Sequence, residues 1–376
     1  MKNIVNLGNV ATYINGYAFK PSDWAEDGTP IIRIQDLTGN SYQMNRFKGI
    51  VDSKYDVNSG DVLISWSASL GVYVWNRGNA VLNQHIFKVV FDKEEVDKDF
   101  FVFQIDNLLK RAANQAHGAT MRHLTKPVFD ALPFYLPDIK TQRLISSKLN
   151  LIVHLIEDHH EQLKKLDELI RSRFLEMFGN KEYSICQLSD QCEIITKGTT
   201  PTTIGYNFTT DGVRFIKIED ITEEGKFDTA KMMHISDECN MIMKRSQLKS
   251  GDLLFSIAGA IGRCAVVTND ILPANINQAL AIIRLRKDAQ LSRNFLFAVL
   301  KSSYVEKQYK GLRRGGAQLN LSLKDIGNFK ILLPPESEQE NFIDLYKQVD
   351  KSKMAVQKSL DELEILKKSL MQTYFG

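Results

Sequence analysis

Two short stretches of the chain concentrate side chains able to grip a polyanion. HGATMRHLTK (residues 117–126) carries Arg122, His123 and Lys126, and KGLRRGGAQLNLS (310–322) carries Lys310, Arg313 and Arg314. Glycine lets a backbone approach another surface closely, and Arg and Lys donate to phosphate oxygens or to base edges. The competing reading is a solvated basic loop. Two further polar pairs sit at the ends of apolar runs. Arg33 in IIRIQD matches Lys217 in FIKIED, and Asn83-Gln84 in LNQHIFKVVF matches Asn277-Gln278 in INQALAIIRL. Asn and Gln can read adenine bidentately, but they also tie down turns, and for Asn83 and Asn277 the turn role is favoured. NGYAFKPSDW with Lys20, and SWSASLGVYVW with Ser65 and Trp66, add candidate groove contacts. Their counterparts TKGTTPTT, with Lys197, and SIAGAIGRCAV differ in chemistry.

Bond-making chemistry leaves no comparable trace. There is no Gly-x-x-x-x-Gly-Lys-Ser/Thr phosphate loop, no His-Glu-x-x-His and no Gly-x-Ser-x-Gly. The Asn/Asp-Pro-Pro-aromatic segment of an amino-methyltransferase is absent, and LPPES at 333–337 is not one. His159-His160 falls within a helical pattern, where neighbours face different ways and do not clamp one metal. Cys186, Cys192, Cys239 and Cys264 form no Cys-x-x-Cys pair, which argues against a disulfide framework and a zinc site. The expectation is no catalytic residue and no metal site.

A net charge of +3 is too weak to announce a nucleic-acid binder by composition, so basic residues must be gathered locally. No apolar run approaches the roughly 20 residues of a membrane span, and the N-terminal stretch lacks a long apolar signal region. The expected location is the cytoplasm, with no membrane partner.

The elements that must position these residues come twice. NSGDVLIS (58–65) returns as KSGDLLFS (249–256), 191 residues later. LGNVATYI (7–14) resembles LSDQCEII (188–195), and PIIRIQDL (30–37) resembles RFIKIEDI (214–221). The Asn-Gln runs, the glycine loops, FYLP against ILLP, and Met177-Phe178-Gly179 against Tyr374-Phe375-Gly376 follow in the same order. The offset only grows along the chain, as in a tandem duplication with small insertions. Within each copy, short β-branched runs bounded by Gly, Asn and Asp predict strands, and helices are expected near 99–114 and 292–309.

Each copy ends in a different kind of segment. From Thr141 to Phe178 there is no Pro or Gly, and Leu149, Ile152, Ile156, Leu163, Leu166 and Ile170 recur at three- and four-residue steps. Val349, Val356, Leu360, Leu363 and Leu370 do the same after Pro334-Pro335. This spacing predicts two long amphipathic helices of coiled-coil character, each about 50 Å long, burying their stripes against each other in antiparallel fashion. The fold expected is α+β: two tandem domains of mixed strand and helix, 1–139 and 180–335, separated by spacer helices at 140–179 and 336–376, with a pseudo-twofold internal repeat.

The paired SGD strands, paired Asn-Gln runs, Gly-Ala and Gly-Gly loops, and LPDIKTQRLI and LPPESEQENFI leading into long helices together resemble the specificity subunit of type I restriction-modification enzymes. The order of these features, twice over essentially the whole chain, carries the resemblance. It implies two target-recognition domains that read the halves of a bipartite, asymmetric site in double-stranded DNA. The helices would set the spacing and dock two methyltransferase (M) subunits, with restriction/translocase (R) subunits joining them. S-adenosylmethionine, ATP and Mg²⁺ would bind to those partners, not to this chain, which would be non-catalytic. The resemblance transfers no base-contact residue by position. Two alternatives stand beside it: the specificity partner of a stand-alone adenine methyltransferase system, and a coiled-coil adaptor that does not bind DNA.

Overall fold

The computed structural model describes residues 3–40, 43–115, 125–179, 182–312 and 320–376. The chain divides into two compact units, 1–160 with 359–376, and 161–358.

The first unit is built on two four-stranded sheets. One is antiparallel, in the order Thr12–Asn15, Ile86–Val90, Val62–Ser65, Gly71–Val74. Its third strand, from the SGD motif, is buried along its whole length, which is why it reads as an unbroken apolar run. The other sheet runs Arg46–Phe47, Thr29–Ile32, Ala80–Leu82, Asp56–Val57, and its two central strands are parallel. A short ladder of Ile4–Asn6 on Pro133–Tyr135 closes the domain near its exit. The helix Lys98–Gln115 buries Phe100, Phe101, Ile105 and Leu109. The same core takes Ile145 and Leu149 from the helix Ile139–Phe178 and Phe375 from the helix Glu336–Phe375.

The second unit repeats this order. Its antiparallel sheet is Cys192–Lys197, Leu280–Leu285, Leu253–Ser256, Cys264–Val266. Its other sheet is Met233–Ile235, Val213–Ile216, Ala274–Ile276, with the last two parallel. A fourth strand is reduced here to the single bridge between Gln247 and Asn275. Ser184–Gln187 on Lys330–Leu333 is the closing ladder. Phe174, Phe178, Phe342 and Ile343 of the two long helices enter this unit's core.

Both long helices have 40 residues. Within the first unit His159 Nε2 lies 3.0 Å from Ser359 Oγ, while Leu149 shares a core with Phe375, so the two segments run antiparallel. Within the second, Lys353 pairs with Asp167 at 2.8 Å, while Phe342 packs on Phe174 and Phe178, again antiparallel. Leu149, Ile152, Val349 and Leu360 are buried, and Ile156, Leu163, Leu166, Ile170, Val356, Leu363 and Leu370 are half-buried. Asp138 accepts from the amide and hydroxyl of Thr141 and caps the first helix, as an Asp ahead of a helix should.

Two elements differ from the sequence reading. The stretch expected as one helix at 292–309 is two, Arg293–Leu300 and Ser303–Lys310. Ser302 adopts an extended backbone between them, its hydroxyl donating to Val299 O at 2.6 Å. The β-branched run that opens IIRIQD, Ile31–Ile34, which the pattern of such runs predicts as strand, is also not all strand. It turns at Arg33 into a short helix, Ile34–Leu37, because the Asp36 carboxylate folds back onto the Arg33 amide.

Candidate nucleic-acid interface

The residues that recur in both copies hold loops in place. After each SGD turn the strand's last serine is wholly buried. The Ser65 hydroxyl donates to Ser69 O, and the Ser256 hydroxyl donates to Ala260 O at 2.5 Å and accepts from the Arg263 amide at 2.8 Å. Each serine therefore latches the loop that follows its strand. This corrects the expectation for Ser65, whose hydroxyl is committed inward and is not offered to a groove.

Arg33 and Lys217 occupy the same joint in their sheets. Asp36 Oδ2 accepts from the Arg33 amide at 2.9 Å and Nε at 3.2 Å, and Arg33 Nη2 also donates to Gln43 O. Asp220 Oδ2 accepts from the Lys217 amide at 2.8 Å. Burial pushes the Asp220 carboxyl above its usual range, against the pull of that bond. Lys217 Nζ lies 5.4 Å from the Phe208 ring centroid and 3.7 Å from Glu219. Arg33 is thus a folding residue with a side chain only 17% exposed, and Lys217 is partly so occupied. At the Asn-Gln turns, Asn277 Oδ1 accepts from the Ala279 amide at 3.1 Å, the turn-tying role favoured from sequence. Asn83 differs, since its Oδ1 is enclosed without a partner.

A paired feature unmarked in the sequence lies opposite these turns. Gly16 and Gly198 follow Asn15 and Lys197, which pair with Phe87 and Ala281 at equivalent register. A Cβ on Gly16 would stand 2.0 Å from Asn83 O, and one on Gly198 1.8 Å from Ile276 O. Each glycine permits two backbones to touch where the first strand leaves the sheet. A second missed pair is Gln142 and Gln339, each buried in the first turn of a long helix. Gln142 donates to Pro137 O and accepts from the Asp97 amide. Gln339 donates to Pro334 O and Gln290 O and accepts from the Ser292 amide. The signal was present: both glutamines end the matched LPDIKTQ and LPPESEQ segments.

What this frame presents differs between copies. In the first unit, Trp66 Nε1 donates to Asn15 Oδ1 at 3.2 Å, its ring stacks on Phe87, and His85 lies edge-on to it. Tyr17 is 41% exposed and bridges to Asn83. Lys126 Nζ sits over the Tyr13 and Phe87 rings while pairing with Asp130. In the second unit, Lys197 is exposed where the first has Asn15, Ile257 replaces Trp66, and Ala279 replaces His85. Lys310 is exposed and paired with Glu306 at 2.6 Å. Lys20 is exposed beside the turn capped by Asp23. Arg122, His123, Arg313 and Arg314 lie outside the described residues. Beyond those residues the chain is anchored again: the Leu321 amide donates to Ile257 O, just past the SGD strand.

Among the described residues no three His, Cys, Asp or Glu side chains cluster as metal ligands, and no helix is long and apolar enough to cross a membrane. Burial pushes the thiols of Cys192 and Cys264 up to about 12, far from the reactive range.

Comparison with known proteins follows the same two-part division. The family described as "Type I restriction modification DNA specificity domain" matches residues 2–168 and 180–364. The chain is 25% identical over 408 aligned residues to the type I restriction enzyme EcoBI specificity subunit of Escherichia coli, covering 99% of this chain and 85% of that one. It is 22% identical to the MjaVIII specificity subunit of Methanocaldococcus jannaschii, covering 98% and 90%. Its fold resembles a chain solved in a study of complex assembly and conformational transition of a type I restriction-modification system, with TM-score 0.62, 18% identity and coverage of 99% and 97%. The crystal structure of a type I S subunit from M. genitalium aligns with TM-score 0.55 and 15% identity, covering 100% and 96%.

Proposed function

The chain belongs to the type I restriction-modification DNA specificity family, and from that premise we propose that it is the subunit that chooses where its complex acts on double-stranded DNA. Residues 1–139 read one half of a bipartite, asymmetric site, and residues 180–335 read the other. The two 40-residue helices form a coiled-coil spacer related by a pseudo-twofold axis and fix the gap between the halves. At 1.5 Å per residue each is about 60 Å long, between one and two duplex turns of about 34–36 Å.

The chain supplies no catalytic group. Two methyltransferase subunits dock on the helices and bring S-adenosylmethionine, and restriction subunits bring ATP and Mg²⁺. Exposed apolar side chains off the buried stripe support the docking role: Leu144, Leu151 and Ile365 in the first unit, Leu169 and Leu175 in the second.

One observation carries this reading: the same frame appears twice, but with Asn15, Trp66 and His85 at one edge and Lys197, Ile257 and Ala279 at the equivalent edge. A duplicated enzyme would repeat its reactive groups, whereas a two-part reader repeats its scaffold and varies what it displays. Adenine-methylation mapping in cells with and without this gene tests it. A bipartite motif that disappears on deletion supports the reading. An unchanged methylome with the methyltransferase active overturns it. Shortening the helix Ile139–Phe178 should change the gap and leave both halves intact.

A further inference from the structure

The Trp66–His85 pair is absent from the second copy, so the shared scaffold does not need it. Its geometry is nevertheless costly. Ala68 and His85 are the non-glycine residues with positive φ among those described, at 58° and 72°. At the position of Ala68 the second unit has Gly259, with φ 66°. At the position of His85 it has Ala279, which is not among its positive-φ residues. Left-handed backbone is unfavourable for a residue with a Cβ, and such strain persists where the surroundings or a function require it.

The surroundings aim the ring. The His85 carbonyl accepts from the Trp66 amide at 3.3 Å, and the two ring centroids are 5.0 Å apart. Trp66 is itself held by Phe87 and by Asn15. His85 Nδ1 is enclosed with no hydrogen-bond partner, whereas Nε2 is not so enclosed. An enclosed N–H without an acceptor is rarer than an enclosed lone pair, which places the proton of the neutral ring on Nε2. That atom is then an N–H donor on the residue that follows the Asn83-Gln84 turn, where Gln84 N donates to Tyr17 O at 2.8 Å. A single donor suits the major-groove acceptors of a base: N7 or O6 of guanine, N7 of adenine or O4 of thymine.

We infer that His85, braced by Trp66, is a specificity-determining residue of the first unit, donating from Nε2 to a base-edge acceptor in one half of the DNA site. The inference rests on the function proposed above. It has no equivalent in the second unit, so its effect is confined to one half-site.

The test uses the full chain assembled with its methyltransferase partner and a pool of randomised duplexes. The unaltered complex first defines the bipartite motif. His85→Gly removes the ring and suits the left-handed backbone, and His85→Asn tolerates that backbone while keeping a donor. For His85→Gly the unfolding temperature should stay level or rise. Preference at one base pair of one half-site should fall roughly tenfold or more, with the other half and the gap unchanged. His85→Asn should alter the preference at that same base pair. An unchanged motif in both variants overturns the inference, as does a uniform loss of affinity at every position, which would mark a scaffold role. If the unaltered complex selects no bipartite motif, the proposed function itself fails.

Discussion

The two units tie the same turn with unequal strength. In the first, Asp61 Oδ2 accepts only from the Asn58 amide among the described residues, at 2.9 Å. In the second, Asp252 accepts from the Lys249 amide and also takes a two-pronged bond from Arg284, at 2.6 and 2.7 Å. Asp252 is 1% exposed, and the position equivalent to Arg284 is Val90 in the first unit. The units also differ in reverse: the second sheet of the first unit has a true fourth strand, where the second unit keeps one bridge. One unit is fastened by backbone pairing and the other by a buried ion pair. The same frame can thus be secured in different places, leaving the displayed edge open to change.

The comparison can be broken most sharply at that ion pair. Asp252→Ala strands the Arg284 guanidinium, and it should cost the second unit about 3–5 kcal/mol in denaturant unfolding. Asp61→Ala should cost the first unit only about 1 kcal/mol, and equal losses would show that the turns are fastened alike. Gln142→Ala and Gln339→Ala should each cost about 2–3 kcal/mol, because each strands a buried amide N–H and a proline carbonyl. Here the two units should respond equally. Gly16→Ala and Gly198→Ala should each cost about 1–3 kcal/mol, since a Cβ must displace a carbonyl. A neutral result at either would mean that backbone proximity is not what the glycine serves.

The smallest effect separates the two helix starts. The Thr141 hydroxyl, then its amide, hold the Asp138 carboxyl below its usual range, so the cap contributes above the ordinary carboxylate pKa. It is lost as pH falls through the depressed value. The second helix has Pro335 at the equivalent position. Hydrogen exchange, corrected for intrinsic rate, should show acid fraying near Thr141 with no matching change near Glu338.

Much of this architecture was legible because duplication supplies its own alignment. SGD, the Asn-Gln turns and the long stripes could be matched within one chain, and the structure repeats the strand order they mark out. Site residues were harder to read. Recurrence drew attention to Ser65 and Arg33, yet both face inward, where recurrence reflects a shared frame. His85 lacked a counterpart and so stood out least, and its backbone conformation depends on contacts that sequence patterns do not express. Gln142 and Gln339 are polar residues in a first helical turn, and nothing in their own segments marks them as buried. Only the loops ending at Asp97 and Ser292, about 45 residues earlier in sequence, turn them into buried anchors.

Residues 359–376 belong to the first unit, while the second is one continuous stretch. During synthesis the second unit therefore has all its parts first, although it is encoded later. At about 5–20 residues per second, the roughly 200 residues after His160 take about 10–40 s to make. Throughout that interval the surface that receives Phe375 beside Phe100 has no occupant from its own chain. Until its own C-terminal segment is made, the nascent first unit holds an apolar surface that its own sequence completes last.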